Sequence, residues 1–246
     1  MLVTLPSNGV QFPDNTNSTY SVRLDHQLKL ESGKWEVGLM DIHFPNSWQN
    51  VDTGLIWNDI TDANSGQTRR VAYRIRPGRY TKHADLIGEI SRALSASSHH
   101  TKLSVYFDSI RNKGFVNVND RSMSVSFSRD LAEILGFTPS KTYGFGFHSS
   151  EQHPDINRGF STLYVYCSLA APRLVGDVQA SLLRTVPIGK QDPYAAVYAE
   201  FQNVQYTPTG NIDTDIVQVL IRRDDGQPVA FGEGKVVLTV HFRKVE

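Results

Sequence analysis

Residues 20–30 read YSVRLDHQLKL, and their side chains alternate between two faces over the whole segment. The face that begins at Tyr20 and ends at Leu30 is mostly apolar, whereas the face from Ser21 to Lys29 is polar. Successive side chains of a β-strand point to opposite sides of its sheet. The alternation therefore predicts a strand with one face on a hydrophobic core and the other in solvent.

The same period of two recurs along most of the chain. Turn-forming sequences such as Asp224-Asp225-Gly226 separate the alternating segments. About eight strands joined by such turns predict a mainly β fold, with a sandwich, a jelly roll and a barrel as alternatives. Besides 20–30, the candidate strands are 69–76, 162–169, 178–188, 196–206, 214–222 and 236–243.

The segment 34–45 changes phase part-way along. Its apolar side chains occupy odd positions up to Leu39 and even positions from Met40 onward. Either this strand is buried on both faces, or a β-bulge near Gly38 reverses its phase.

Residues 79–138 break the strand pattern. Thr81 is a candidate N-cap for a helix whose apolar stripe begins at Leu86, and three short strand patterns follow. A second short helix is predicted between Ser128 and Gly136, because a helix-ending glycine stands at its end. We therefore predict an α-β-β-β-α module inserted at 79–138 between two parts of the sandwich, 1–78 and 139–246.

Composition excludes several classes of protein. Lys+Arg 25 against Asp+Glu 25 gives a net charge of zero, which argues against bulk electrostatic binding to nucleic acid. The single cysteine, Cys167, excludes an intrachain disulfide and a cysteine-rich zinc module. The N-terminal residues lack the pattern of a secretory signal, and no segment has the roughly 20 apolar residues of a membrane span. We expect a protein made without a secretory signal and lacking a membrane span.

The sequence carries no recognisable catalytic motif. A nucleophile elbow, a zinc-binding His-Glu-x-x-His pair and a phosphate-binding loop are all absent from it. We therefore predict no enzyme activity, no catalytic residue, no cofactor and no metal.

Three groups of side chains have both a chemical and a structural interpretation. Cys167 shares the parity of an apolar strand face, which favours a core residue over a nucleophile. Asp213 and Asp215 share one face of a strand but lack a dense set of further oxygen donors, which favours an exposed acidic edge over a calcium site. For four histidines the interpretation as solvated loop residues is favoured over a metal site; they are His99, His100, His148 and His153.

Positive charge is concentrated at residues 69–79, RRVAYRIRPGR. On a strand, Arg70, Arg74 and Arg76 share one face. That face is a candidate contact for packaged nucleic acid or an acidic partner chain. The favoured alternative is an edge strand protected by charge.

Seven short blocks resemble the capsid proteins of Maverick/Polinton elements and of the related adintoviruses. They occur in order along nearly the whole chain. The blocks are LPSN at 5–8, FPDNT at 12–16, WEVGL at 35–39, LYVYC at 163–167, VGD at 175–177, LLR at 182–184 and HFR at 241–243.

The resemblance implies a capsid role in an icosahedral particle with a double-stranded DNA genome. In that family the major capsid protein has two jelly rolls and forms trimers, whereas the minor one has a single jelly roll and forms pentamers at the vertices. A chain of 246 residues accommodates one jelly roll and an insertion, but not two jelly rolls. The resemblance and the length together predict the minor (penton) capsid protein, located in the virion, with its own copies and the major capsid protein as partners.

A ring of identical subunits needs two complementary surfaces on each copy. Aromatic side chains dominate such contacts, although in loops they also plug the ends of a sandwich. The alternative function is a carbohydrate- or protein-binding sandwich of the lectin type, and a sandwich hydrolase with paired carboxylates is a third class. The candidate interface residues are Trp48, Trp57, Tyr143, Phe145, Phe147 and Tyr194.

Overall fold

The computed structural model describes residues 1–96, 101–189 and 195–245. The chain forms two compact units. The sandwich unit comprises Met1–Trp48 and Phe160–Glu246, and the inserted unit comprises Gln49–Gly159.

Strands are the main regular structure of the described residues, which also contain two helices. The helices are α1 (His83–Ser95) and α2 (Arg129–Leu135). The strands are β1 (Leu2–Pro6), β2 (Thr19–Leu30), β3 (Trp35–Pro45), β4 (Leu55–Thr61), β5 (Thr68–Arg74), β6 (Leu103–Asp108), β7 (Lys113–Val118), β8 (Met123–Phe127), β9 (Thr142–Tyr143), β10 (Gly146–Ser149), β11 (Thr162–Cys167), β12 (Arg173–Val175), β13 (Val178–Ala180), β14 (Leu182–Pro187), β15 (Ala196–Glu200), β16 (Tyr206–Pro208), β17 (Ile212–Arg222) and β18 (Val237–Lys244).

The sandwich unit is a single jelly roll. One antiparallel sheet has the order β1-β18-β3-β15, with β16 also paired to β3, and the other has the order β14-β11-β17-β2. If its eight main strands are lettered B to I in chain order, the sheets read B-I-D-G and F-E-H-C, which is the strand order of a jelly roll. The predicted fold class, mainly β with one jelly roll, is confirmed.

The core of the jelly roll lies between the two sheets. On β2, Tyr20 and Leu30 are buried there, as the alternation predicts. His26 departs from the pattern and is exposed. The pairing of β17 jumps from Leu28 to Arg23 of β2, so the residues between them leave the regular ladder. This break exposes His26 although its parity is that of the apolar face.

A bulge reverses the phase of β3. Leu39 lies opposite Val240, and Asp41 lies opposite Thr239, so Met40 is the extra residue. The bulge interpretation is therefore correct, but the bulge lies at Met40 rather than Gly38. Gly38 has a different role: a Cβ there would lie 2.5 Å from Val204 Cγ1 and 2.7 Å from the carbonyl oxygen of Gln205.

The inserted unit is wider than the predicted module at 79–138, because strands on both sides of that module belong to it. It has its own hydrophobic core and two antiparallel sheets, β5-β4-β8-β9 and β10-β7-β6. The candidate strand 69–76 corresponds to β5 and pairs with β4, not with the jelly roll. The predicted boundaries, 1–78 and 139–246 for the sandwich, are corrected accordingly to those of the two units.

Both predicted helices are present. On α1 the buried residues are Leu86, Ile90 and Leu94, and the N-cap is Lys82 rather than Thr81. Helix α2 follows Ser128 and ends at Gly136, whose φ of 78° is left-handed and favours glycine.

Candidate assembly interface

Two of the predicted contact aromatics are core residues. Trp48 is buried in the sandwich unit, where its ring meets Phe160 edge to face at 5.2 Å between centroids. Tyr143 is buried in the inserted unit, and its hydroxyl donates to the Glu151 carboxylate at 2.9 Å. Because both rings are enclosed by their own unit, the structure favours the alternative interpretation, a core residue, over contact with a neighbouring subunit.

The other predicted aromatics stay candidates. Trp57 lies on β4 between Ala72 and Ser126 on the neighbouring strands and is partly buried. Phe145 and Phe147 are more than half exposed. Tyr194 lies outside the described residues.

Phe147 belongs to an aromatic face on the sheet β10-β7-β6, formed with Tyr106 and Phe115. The ring centroid of Phe115 lies 5.1 Å from that of Tyr106 and 5.1 Å from that of Phe147. Tyr106 sits opposite Phe115 across β6 and β7, on the side of the sheet away from Val105 and Val116. The outward position of Tyr106 could have been predicted from the sequence, because Tyr106 occupies a polar position in the alternating pattern of its strand.

The basic stretch contains ion pairs. Arg70 forms two hydrogen bonds with Asp59, at 2.7 and 2.8 Å, and Arg76 forms two with Glu89, at 2.8 and 3.2 Å. Strand β5 lies at the edge of its sheet, and Arg74 at its end is exposed. The paired carboxylates offset the charge of Arg70 and Arg76, which leaves less positive charge for a polyanion than the sequence suggested.

The residues weighed for chemistry occupy structural positions. Cys167 is buried in the jelly-roll core, and burial raises the pKa of its thiol to about 12. Asp215 lies 3.4 Å from Arg23 Nε, and His148 Nε2 lies 2.9 Å from the carbonyl oxygen of Gly144. His153 is exposed, whereas His99 and His100 lie outside the described residues.

Searches for a metal site and for a membrane span are negative within the described ranges. There, no group of three or more His, Cys, Asp and Glu side chains is arranged to hold a metal ion. Neither α1 nor α2 has the length and apolar character needed to cross a bilayer.

A small hairpin, β12–β13, lies between β11 and β14 in chain order. Its two strands pair with each other, and with no other strand in residues 1–96, 101–189 and 195–245. Leu174 is 73% exposed and Val178 is 56% exposed. The candidate strand 178–188 is thereby divided, because Val178–Ala180 belongs to the hairpin and Leu182–Pro187 to the sheet.

An apolar groove of about 570 Å³ lies on the outer face of the sheet β1-β18-β3-β15. Met40 reaches this groove because it is the bulge residue of β3. The Tyr206 hydroxyl and His241 Nδ1 are 2.7 Å apart at its side, and the Arg243 guanidinium carbon lies 3.8 Å from the Tyr206 ring centroid. We call this the β3 groove; its lining residues are Met1, Leu2, Met40, Val204, Tyr206 and His241.

Comparisons with known proteins give likenesses among solved structures only. No family model matches the chain, and no curated protein does. The chain is similar to the mavirus penton protein in a crystal structure, with 10% identity, a TM-score of 0.48 and 99% of each chain covered. It is also similar to a chain of the Sputnik virophage solved by cryo-electron microscopy, with 7% identity, a TM-score of 0.48, and 99% of this chain and 97% of that one covered. The jelly roll itself is established by this chain's own strand order.

Proposed function

We propose that this protein is a minor capsid protein whose pentamers form the five-fold vertices of an icosahedral particle with a double-stranded DNA genome. The observation that carries the proposal is the single, complete jelly roll of the sandwich unit. A major capsid protein of the resembled family has two such folds, so one jelly roll favours the minor role.

The distribution of the resembling blocks supports the same role. All seven lie in the sandwich unit, and none lies in Gln49–Gly159. WEVGL is in β3, LYVYC in β11 and LLR in β14, so these three blocks lie on strands of the jelly roll. The likeness to capsid proteins therefore belongs to the part of the chain that has the shell-building fold.

The lectin-type alternative is less favoured. Stacking on a sugar ring needs an exposed aromatic face, but Trp48 is buried against Phe160 and Trp57 is only partly exposed. In the proposed role the protein is structural and has no catalytic step. Its partners are its own copies and the major capsid protein, and its location is the virion.

The mass of the purified protein in solution tests this proposal. Light scattering should give five times the 27.6 kDa of one chain, and negative-stain images of the same fraction should show rings. A trimer would contradict the vertex position. A monomer that also fails to enter particles when co-expressed with the major capsid protein would contradict the capsid role, and glycan binding by that monomer would favour the lectin alternative.

A further inference from the structure

We infer that the aromatic face of the inserted unit binds a neutral carbohydrate chain of β-linked sugars. This face is formed by Tyr106, Phe115 and Phe147 on the sheet β10-β7-β6. The proposed capsid role makes no use of it. Carbohydrate binding is therefore a second function, which adds to the capsid role and does not depend on it.

The rings of the aromatic face are open to solvent and held in place. Tyr106 is 37% exposed and Phe147 is 57% exposed, whereas Phe115 is buried beneath them. Phe115 stacks on both rings, at interplanar angles of 15° and 29°. Packing on a buried ring restricts the two exposed side chains, so the surface is preorganised for a ligand. The face of an aromatic ring carries partial negative charge, which attracts the C–H groups of a sugar ring.

Three polar side chains share the side of the sheet that carries the rings. Asn117 lies opposite Phe147 and also opposite Ser104, and Ser149 lies opposite Phe115. Within the described ranges, the side chains of these three polar residues form no hydrogen bond, and both serines are exposed. An amide and two hydroxyls in this state can donate and accept hydrogen bonds with sugar hydroxyl groups. The surface thus combines rings with open hydrogen-bonding groups, as a ligand that is both apolar and hydroxylated requires.

The size of the face fits a sugar better than a protein. Its shortest strand, β10, has four residues. Three strands of that length present about 200 Å² on one side of the sheet. A stable protein interface buries about 800 Å² on each partner, so this face by itself is too small for one. β-Linked glucose and N-acetylglucosamine carry equatorial substituents, which leaves flat C–H faces about as large as an aromatic ring.

The charges around the face favour a neutral ligand. Lys102 is paired with Asp120 at 2.7 Å, and Arg111 is paired with Asp108 at 3.7 Å. The guanidinium carbon of Arg121 lies 5.4 Å from the centroid of an exposed phenylalanine ring next to the face. One such cation is too few for a polyanion, whose affinity comes from neutralising several phosphates.

Calorimetric titration of the full-length protein tests the inference with two neutral probes, cellohexaose and N-acetylchitohexaose. We expect saturable binding of at least one probe. Tyr106→Ala/Phe147→Ala removes both exposed rings and should weaken that binding about tenfold or more. Asn117→Ala leaves the rings in place and should weaken it about threefold to tenfold through a lost hydrogen bond. Thermal unfolding checks that both variants remain folded.

The matched control is Tyr198→Ala, which removes a tyrosine that is 60% exposed on β15 of the sandwich unit. This variant should bind the probe as the wild type does. Equal weakening in the control, or undiminished binding by Tyr106→Ala/Phe147→Ala, would overturn the inference. If the wild type binds neither probe and Tyr106→Ala/Phe147→Ala lowers the oligomer mass, the face is a subunit contact and the inference is wrong.

The same titration separates this inference from the proposed function. Pentamers that bind neither probe would overturn carbohydrate binding and leave the capsid role standing. A monomer that binds a probe through Tyr106 and Phe147 would support carbohydrate binding and contradict the pentamer.

Discussion

The backbone N–H of Gly54 lies 2.8 Å from Oδ2 of Asp130, a carboxylate 76 residues further along the chain. The same oxygen accepts the backbone N–H groups of Asp52 and Thr53, at 3.1 and 2.9 Å. Asp130 is buried at the first turn of α2, so this one side chain fixes the segment before β4 to the helix. Burial favours its protonation, but hydrogen bonds outweigh burial and lower the pKa of the carboxyl, the largest effect coming from the Ser128 hydroxyl and the next from the Gly54 N–H.

Replacing that carboxylate should destabilise the inserted unit. Asp130→Ala removes an acceptor from three backbone N–H groups, of which that of Gly54 is buried, and we expect a loss of about 1–3 kcal/mol in the free energy of unfolding. Urea unfolding monitored by tryptophan fluorescence measures it. Asp25→Ala, at a carboxylate that is almost fully exposed, is the control and should change stability little. An equally small effect of Asp130→Ala would contradict the anchoring role.

Protonation of Glu151 in acid should lower the stability of the inserted unit. Burial acts to raise its pKa, but hydrogen bonds from Lys141 and Tyr143 outweigh it and hold the pKa at about 2, below the usual 4.5. A carboxyl with a depressed pKa stabilises the fold above its unfolded pKa, and that contribution is lost as the pH falls toward the folded value. We expect Glu151→Gln to lower stability at pH 7 and to flatten its decline between about pH 4.5 and 2. If the free energy of unfolding of the wild type and of the variant declined in parallel, Glu151 would be excluded as the source of the acid sensitivity.

Gly38 should not tolerate even a methyl group. The Cβ of Gly38→Ala would overlap Val204 and the backbone of Gln205, at 2.5 and 2.7 Å, and Val204 lines the β3 groove. We expect a loss of about 1–3 kcal/mol in the free energy of unfolding. Gly88→Ala on α1 is the matched control, because a Cβ there has no neighbour within 4 Å and alanine favours a helix. Thermal unfolding of both variants compares them; equal melting temperatures would show that the 204–205 segment yields easily.

The jelly roll should fold without the inserted unit. Trp48 and Phe160 stand at the two ends of the insertion, and their rings are in contact within the jelly-roll core. Replacing residues 49–159 by a short Gly/Ser linker should therefore give a cooperatively unfolding protein. The proposed pentamer is built on the jelly roll, which remains in this variant, so we expect rings as well. A folded variant without rings would show that assembly requires the inserted unit.

The period of two predicted where the strands lie better than it predicted which strands pair with one another. The alternation at 20–30 and 162–169 identified β2 and β11, and the change of phase at Met40 revealed the bulge. The segment 69–76 alternates in the same way but joins the other unit, because a period of two shows that a strand has a buried face and not which core buries it.

Prediction of the contact surface had a different difficulty. Phe147 and Trp48 were both predicted as contact residues because they are aromatic, yet only Phe147 is exposed. Exposure depends on residues distant in sequence, such as Phe160, whose ring covers that of Trp48. The hairpin and the β3 groove were missed because each is formed mainly by leucine, valine and methionine residues, which look ordinary in sequence.

The adjacent entry and exit of the insertion also have an evolutionary consequence. A domain whose two attachment points touch can be exchanged for another without disturbing the strands that carry it. Natural selection would then be free to diversify this appendage while the shell-forming scaffold stays under constraint, in agreement with the confinement of the seven resembling blocks to the scaffold. The same arrangement suits the scaffold for displaying a foreign domain in place of residues 49–159.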